Sequence, residues 1–515
     1  MREEQKGAVK NSIGRIFITA LVVLIQVVWI IELFVRLNRY STGISLASSV
    51  LALLVVLKIY GRDLNSAIKM PWMILIMAFP VAGVGIYLLC GHSGVNVGIR
   101  KHFQSLQEGL KPLLPDKENV LQTMMDDDRQ TANMAHYISH SAGYPVYDNT
   151  DLEFYAKAED GFEAQKEALR QAKHFIFMEY HAIEDARSFA GMKKILFEKA
   201  KEGVEVRLVY DDVGSMGFIS TDFVKQMEQH GIQCRIFNKI VPFVNIFMNN
   251  RDHRKITVID GQVGFTGGYN LADEYFNITH PFGLWKDTGV RMEGDAVQSL
   301  TVMFLEMWNA IKKTDTESDY AKYFPEITYQ AQQSGYVQPY ADNPLDDEHT
   351  GENVYMNILN SAQKYAYFIT PYLLISDEMR KAFTLAARRG VDVRIITPGI
   401  PDKKFVYKAT RSYYNGLAKK GVRIFEYTPG FCHAKQCVVD DQAAVVGTIN
   451  LDYRSLYHHF ENAAAFYHKA AVLDVKADFD QLFEECHEVT EHYKNHRSTA
   501  LRIGQCILRL FAPLL

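Results

Sequence analysis

Cysteine is scarce in this chain of 515 residues. The six present (Cys90, Cys234, Cys432, Cys437, Cys486 and Cys506) form no CxxC pair and no dense framework, which argues against a disulfide scaffold and fits a reduced compartment. An excess of charge of one sign is also missing: 56 Lys and Arg stand against 60 Asp and Glu, for a net charge of −4. No nucleic-acid partner is expected from that balance, and an anionic ligand must be met by local cations. A cleavable leader is not indicated either. The first apolar stretch is interrupted by Gln26, Trp29 and Glu32, and no A-x-A site follows it.

Apolar length is concentrated near the start: "IFITALVVLIQVVWIIELFVRL" from Ile16, "ISLASSVLALLVVLKIY" from Ile44 and "MPWMILIMAFPVAGVGIYLLCG" from Met70. Each approaches the roughly 20 residues that cross a bilayer, so residues 1–100 are expected to be a membrane region of two or three helices, the third bent at Pro80. Orientation stays open. Basic residues flank both the tail (Arg2, Lys6, Lys10, Arg15) and the second link (Lys58, Arg62, Lys69).

The remainder repeats itself. "AKHFIFMEYHAI" from Ala172 resembles "AQKYAYFITPYLL" from Ala362, and "GVEVRLVYDD" from Gly203 resembles "GVDVRIITPG" from Gly390. Short apolar strands alternate with longer helical segments, which indicates two duplicated α/β domains, expected over residues 101–330 and 331–515. The join is expected between Lys312 and Asn353.

Each half carries one copy of a motif. "HRKITVID" sets out His253, Lys255 and Asp260, and "HAKQCVVD" sets out His433, Lys435 and Asp440, 180 residues later (433 − 253). Given a histidine, Lys at +2 and Asp at +7 coincide by chance about 0.3% of the time, so two copies in register outweigh the reading of a lone H-x-K as surface decoration. Side chains at i and i+2 of a strand share a face, which brings an imidazole and an ammonium together. An anion between them explains such a pair. A site that needs both copies must lie between the halves.

The chemistry suits a phosphodiester. Two lysines stabilise the charge that builds on phosphoryl oxygens, one neutral imidazole attacks phosphorus, and a protonated one donates to the leaving oxygen. Imidazoles need carboxylates to fix their tautomers. Asp260 has the wrong strand parity for this and is expected to brace a turn; Asp287 in "LWKDTGV" and Glu461 in "HHFENAA", each on the next strand of its half, are better candidates. A metal is not expected, because a lysine two residues from the histidine repels it and His458 and His459 have no acidic cluster at ligand spacing. Cys432 and Cys437 read as packing residues, and Gly267 and Gly268 as a tight turn that carries N–H groups toward phosphate.

These motifs, with "GGYN" ending at Asn270 and "GTINLDYRS" containing Asn450, resemble the two HKD motifs of the phospholipase D superfamily, and nearly the whole chain resembles its bacterial cardiolipin synthase branch. The resemblance implies transfer of a phosphatidyl group between two phosphatidylglycerols through a phosphohistidine, with no metal or nucleotide. It further implies a multi-pass protein of the cell membrane whose catalytic part faces the cytoplasm. Carried over by position, His253 and His433 are the catalytic histidines, with His253 favoured as nucleophile by family habit. Lys255 and Lys435 bind phosphate, Asn270 and Asn450 support them, and Asp287 and Glu461 orient the imidazoles; Asp260 and Asp440 complete the motifs. Phosphatidylglycerol and anionic membrane lipid are the implied partners. Hydrolytic phospholipase D, another phosphatidyltransferase and an inactive scaffold are the alternatives, and oligomeric state is left open. The tail from His496 reads as an amphipathic helix with Arg502 and Arg509 on its polar side, able to lie on lipid or to pack on its own domain.

Overall fold

The structure is a computed structural model that describes residues 42–495 except 63, 89–96, 116, 240–249 and 313–318, with isolated positions on either side of that span. Its frame is two sheets of matching topology. In the first, β1 (Thr150–Tyr155), β2 (Phe175–Tyr180), β3 (Glu205–Asp211), β4 (Gln233–Phe237), β5 (Lys255–Ile259), β6 (Val263–Gly267) and β7 (Gly289–Gly294) lie in the order β1-β7-β6-β5-β2-β3-β4. The second uses β8 (Tyr336–Asp342), β9 (Tyr365–Ile369), β10 (Asp392–Pro398), β11 (Arg423–Tyr427), β12 (Gln436–Val439), β13 (Ala443–Gly447), β14 (His459–Tyr467) and β15 (Cys486–Glu488), in the order β8-β14-β13-β12-β9-β10-β11-β15. Strand for strand the first seven correspond, and β15 is an added edge. In each sheet three strands run parallel (β2, β3, β4 and β9, β10, β11) and the rest pair antiparallel.

The sequence dictates this layering. β2 reads FIFMEY and is buried at all six positions, and β9 reads YAYFI and is buried at all five, because helices cover both faces of the parallel strands. Helix Val297–Ile311 is apolar almost all round and correspondingly buried, packing on β5 and β2 of the first sheet and on β8 of the second. The expected join is only partly a linker. Residues 336–342 of it are β8, and Tyr329, Gln332 and Gln333 fold back to donate to the carboxylate of Asp151 on β1. Residues 129–145 lean on the second half, where Gln338 donates to the carbonyls of Ala135 and Tyr144.

At the N-terminal end, helix Thr42–Tyr60 forms a small core with Ser66–Ala78 and Pro80–Ile86 through Ala52, Val56, Ile59, Ile76, Val84 and Tyr87. The expected bend at Pro80 is present. Asn65 caps the second of these helices and donates to Tyr457 and Glu378, which ties the assembly to the second half. Among the described residues no helix is long and apolar enough to cross a membrane, and the first apolar stretch lies largely outside them. Most of the C-terminal tail also falls outside. Where described, Arg509 donates to Ser412 and lies 4.7 Å from the Tyr413 ring, and Ala512 is fully buried.

Two turns repeat to the atom. Asp260 and Asp440 both adopt φ near +52°, a left-handed conformation that aspartate tolerates better than most residues. Asp260 accepts from the backbone N–H groups of Lys173, His174 and Phe175 at 2.8 Å each, and Asp440 from those of Gln363, Lys364 and Tyr365 at 2.6 to 2.8 Å. Each therefore fastens the end of one strand to the start of the next. Loss of three charge-assisted bonds together with left-handed strain predicts that Asp440→Ala lowers stability by about 2–4 kcal/mol. Chemical denaturation of the purified variant measures it, and activity per folded molecule should change far less than the melting temperature.

Candidate active site

The two halves meet through a reciprocal exchange of short strands. Arg251–Asp252, just ahead of the first motif, pairs in parallel with His459 and Phe460 at the start of β14; Gly430–Cys432, just ahead of the second, pairs in parallel with Leu284–Lys286. The register continues one step further. The His253 N–H donates to the Phe460 carbonyl at 2.9 Å, and the His433 N–H donates to the Lys286 carbonyl at 2.7 Å. Each motif histidine thus stands beside the acid of the opposite half.

That geometry corrects the expectation that each half supplies its own carboxylate. His253 Nδ1 donates to Glu461 at 2.9 Å, and His433 Nδ1 donates to Asp287 at 2.7 Å. With Nδ1 carrying the proton, Nε2 of each ring keeps its lone pair, and on His433 that lone pair accepts from Lys435 at 2.9 Å. Both histidines line one cavity of about 600 Å³, together with Asn270 and Asn450. Glu461 is held in turn by the hydroxyls of Thr448 and Ser455. Asn270 accepts from Ala182 and donates to Tyr275, while Asn450 Oδ1 is buried without a hydrogen-bond partner.

His253 and Arg254 precede the strand, which begins at Lys255, yet the side chains still alternate. Arg254 turns away to the Met303 carbonyl at 2.9 Å and the Phe460 ring, whereas Lys255 stays with His253 and donates to its carbonyl at 2.6 Å. Lys435 lies over the His433 ring, 2.7 Å from Nδ1 and 2.9 Å from Nε2. Burial of so much positive charge disfavours the charged forms. Burial pushes Lys255 down to about 8 and Lys435 to about 7. Burial and the neighbouring lysines hold His253 well below the ordinary imidazole range and His433 at about 3. Burial pushes Asp287 upward, but His433, Lys435 and the Thr288 N–H outweigh it and keep the carboxylate ionised.

Asp260 and Asp440 lie outside this cavity, at the turns described above. The glycine turn also has another purpose than the one expected. A Cβ on Gly268 would lie 2.0 Å from Asp287 Oδ1, and the Gly268 N–H is already given to the Thr288 carbonyl, so Gly268 makes room for the acid rather than offering a donor to phosphate, while Gly267 makes room for the backbone of Thr288 and Gly289. Cys432 and Cys437 are fully buried, and burial raises both thiols out of the reactive range.

Two histidines were not singled out by spacing. His181 donates from Nδ1 to the Asp252 carbonyl at 2.7 Å and packs edge-on against His253 with ring centroids 5.0 Å apart. His459 Nδ1 lies 3.5 Å from the other oxygen of Glu461, and its Nε2 accepts from Arg454 Nε at 3.3 Å. The available signal for His459 was its place two residues before Glu461. Ligand atoms of His253, His459 and Glu461 fall within 4.8 Å of one another, a spacing that suits a divalent ion. The donor set does not: Arg454 occupies His459 Nε2, which leaves the proton on Nδ1 facing Glu461, and Lys255 is buried alongside.

A duplicated α/β frame that brings the histidine of an H-x-K pair from each half to one cavity, its lysine beside it, defines the phospholipase D-like class of proteins. Comparison with known sequences narrows this. The family profile described as cardiolipin synthase, PLD-like domain, matches residues 166–308 and 355–483, and a phospholipase D-nuclease N-terminal profile matches residues 48–92. A cardiolipin synthase of Halalkalibacterium halodurans is 33% identical over 86% of this chain and 88% of its own length, and one from a Geobacillus species is 32% identical over 92% and 94%. An uncharacterized protein of Streptococcus mutans is 40% identical over 89% and 99%. The chain belongs to the cardiolipin synthase family. Among solved structures, a phosphatidylserine synthase from Haemophilus influenzae shares the fold, with a TM-score of 0.54 at 14% identity over 75% of this chain and 98% of that one.

Lysines whose pKa values lie near 8 and 7 make anion binding depend on pH with a definite sign. Tungstate stays a dianion from about pH 6 to about pH 9, so any change in its affinity reports the protein. Both ammonium groups are charged at the lower pH and must take up protons to meet the anion at the higher one. The thermal shift produced by tungstate should therefore shrink as pH rises, with affinity falling up to about tenfold per unit for each lysine above its pKa. In Lys435→Met both the affinity and its pH slope should drop.

Proposed function

We propose that this chain is a phosphatidyltransferase that makes cardiolipin and glycerol from two molecules of phosphatidylglycerol. The observation that carries the reading is the convergence of the two motif histidines on one cavity, each with its lysine beside it and backed by a carboxylate from the opposite half. The names of the relatives and the family profile point the same way.

In the proposed cycle, Nε2 of one histidine attacks phosphorus and the bond to the departing glycerol breaks. The second histidine, protonated, gives its proton to that glycerol oxygen. It then takes the proton of an incoming phosphatidylglycerol hydroxyl, which attacks phosphorus as the P–N bond breaks. Lys255 and Lys435 stabilise the charge on the remaining phosphoryl oxygens. Burial and the lysines favour neutral imidazoles, and a bound phosphate offsets the lysines and allows one ring its proton. Asp287 and Glu461 keep Nε2 aimed at phosphorus and stabilise whichever ring is charged. Asn270 and Asn450 flank the same space.

The reading extends to location. Residues 1–100 serve as the membrane anchor, the catalytic halves (residues 101–330 and 331–515) face the cytoplasm, and anionic lipid is the partner surface. Exposed Leu46, Val50, Leu54, Leu57 and Phe79 on the N-terminal helices support an apolar environment there.

The test is to incubate the purified full chain with phosphatidylglycerol alone in the presence of a chelator and identify the products. Cardiolipin with glycerol is expected; phosphatidate would show a hydrolase, and no turnover an inactive scaffold. His253→Ala and His433→Ala should each lower the rate at least about 1000-fold while melting cooperatively, with only the variant that retains the nucleophile trapping phosphatidyl-enzyme. Glu461→Gln and Asp287→Asn should cost less, about 10–100-fold, because they orient rather than react.

A further inference from the structure

The two halves of the cavity share a frame but not a chemistry. Positions 251 and 431 correspond (431 − 251 = 180), and they hold Arg251 and Phe431; positions 274 and 454 correspond by the same interval and hold Glu274 and Arg454. Two residues before the paired acids stand Trp285 and His459 (287 − 285 = 461 − 459). The correspondence is physical. Trp285 packs on His433 at 5.4 Å and 42°, and His459 packs on His253 at 5.4 Å and 41°.

One wall thus carries two guanidinium groups, and the other is mainly aromatic, with Lys403 5.5 Å over the Tyr372 ring and Asp402 beside it. Arg251 and Arg454 both line the cavity, as do the His253 and His459 rings between them. They sit close: Arg251 pairs with His459 across the strand exchange, Arg454 donates to the His459 ring, and after burial itself Arg251 is a further cause holding Arg454 below its ordinary pKa. Asp211, 3.7 Å from Arg251, and Asp452 are the acids that face them. Burial pushes Asp211 up to about 7, so its countercharge is weakened. Around His433, by contrast, Tyr275 and Trp285 form a wall with Glu274 in the place of a guanidinium.

We propose that Arg251 and Arg454 form a second anion subsite, which binds the phosphodiester of the acceptor lipid while the lysines hold the phosphate that reacts. This rests on the phosphatidyltransferase reading. The product carries two phosphates joined by one glycerol, so the acceptor phosphate falls within the same cavity. Guanidinium groups suit it because their planar fork meets two phosphoryl oxygens at once. Selection of an anionic acceptor over a neutral alcohol or water is then a property of this wall and not of the motifs.

The experiment compares two transfers by one enzyme: cardiolipin formation, and exchange of radiolabelled free glycerol into phosphatidylglycerol, whose acceptor is neutral. Full-length protein reconstituted in phosphatidylglycerol vesicles serves for both. In Arg454→Gln and Arg251→Gln the ratio of cardiolipin formation to glycerol exchange should fall about tenfold, the loss expected for one charge-assisted contact. Arg454→Glu, which installs the residue of the opposite wall, should lower it further. Equal loss of both reactions would assign the arginines to the shared chemistry or to folding, and an unchanged ratio would remove them from acceptor binding; either overturns the proposal. Inhibition of both reactions alike by inorganic phosphate, abolished in Arg454→Gln, would make the pair a free-phosphate site and also overturn it. If the parent protein catalyses neither transfer, the phosphatidyltransferase reading itself fails, an outcome separate from these.

Discussion

Two short parallel pairings, Arg251–Asp252 with the start of β14 and Gly430–Cys432 with Leu284–Lys286, are the constraint on which the site depends. They do little for stability on their own. What they do is fix register across the interface, so that a one-residue slip would turn Glu461 and Asp287 away from the histidines they orient. Neither half holds a complete histidine–carboxylate pair. The interface between the halves is therefore part of the candidate site.

Assembly concentrates positive charge where little water can screen it. Lys255 and Lys435 are nearly fully buried, and each of the two histidines is less than a tenth exposed. In such surroundings two unit charges interact several times more strongly than in bulk water. That crowding favours the neutral forms of these groups, and an anion among them favours the charged ones, so anion binding and proton uptake are coupled.

Much of this was legible in the sequence. The duplicated order of strands, the paired motifs and the need for a site between the halves follow from periodicity and spacing. So did the bracing role of Asp260, read from strand parity, which Asp440 repeats in the structure. Crosswise delivery of the acids was not legible, because it depends on strand pairs two or three residues long that leave no periodic signal. Gly268 misled for a related reason: its freedom is used for the approach of Asp287, from a segment 19 residues away (287 − 268), and not for its own turn. β8 was hidden within a polar, tyrosine-rich stretch that looks like a linker until β14 pairs with it. His181 acts through a backbone carbonyl, and no pattern of side chains announces that.

The matching topology of the sheets gives the molecule an internal twofold relation, and its covalent form matters. Were the same frame built from two identical chains, every residue near the axis would occur twice, and a change that suited one wall would be imposed on the other. A single chain removes that restriction. The pairs Arg251 with Phe431, Glu274 with Arg454 and Trp285 with His459 are places where one copy has moved without the other, while His253 with His433 and Lys255 with Lys435 have stayed alike. Duplication within one polypeptide thereby lets a symmetric pair of motifs stand between two unlike walls.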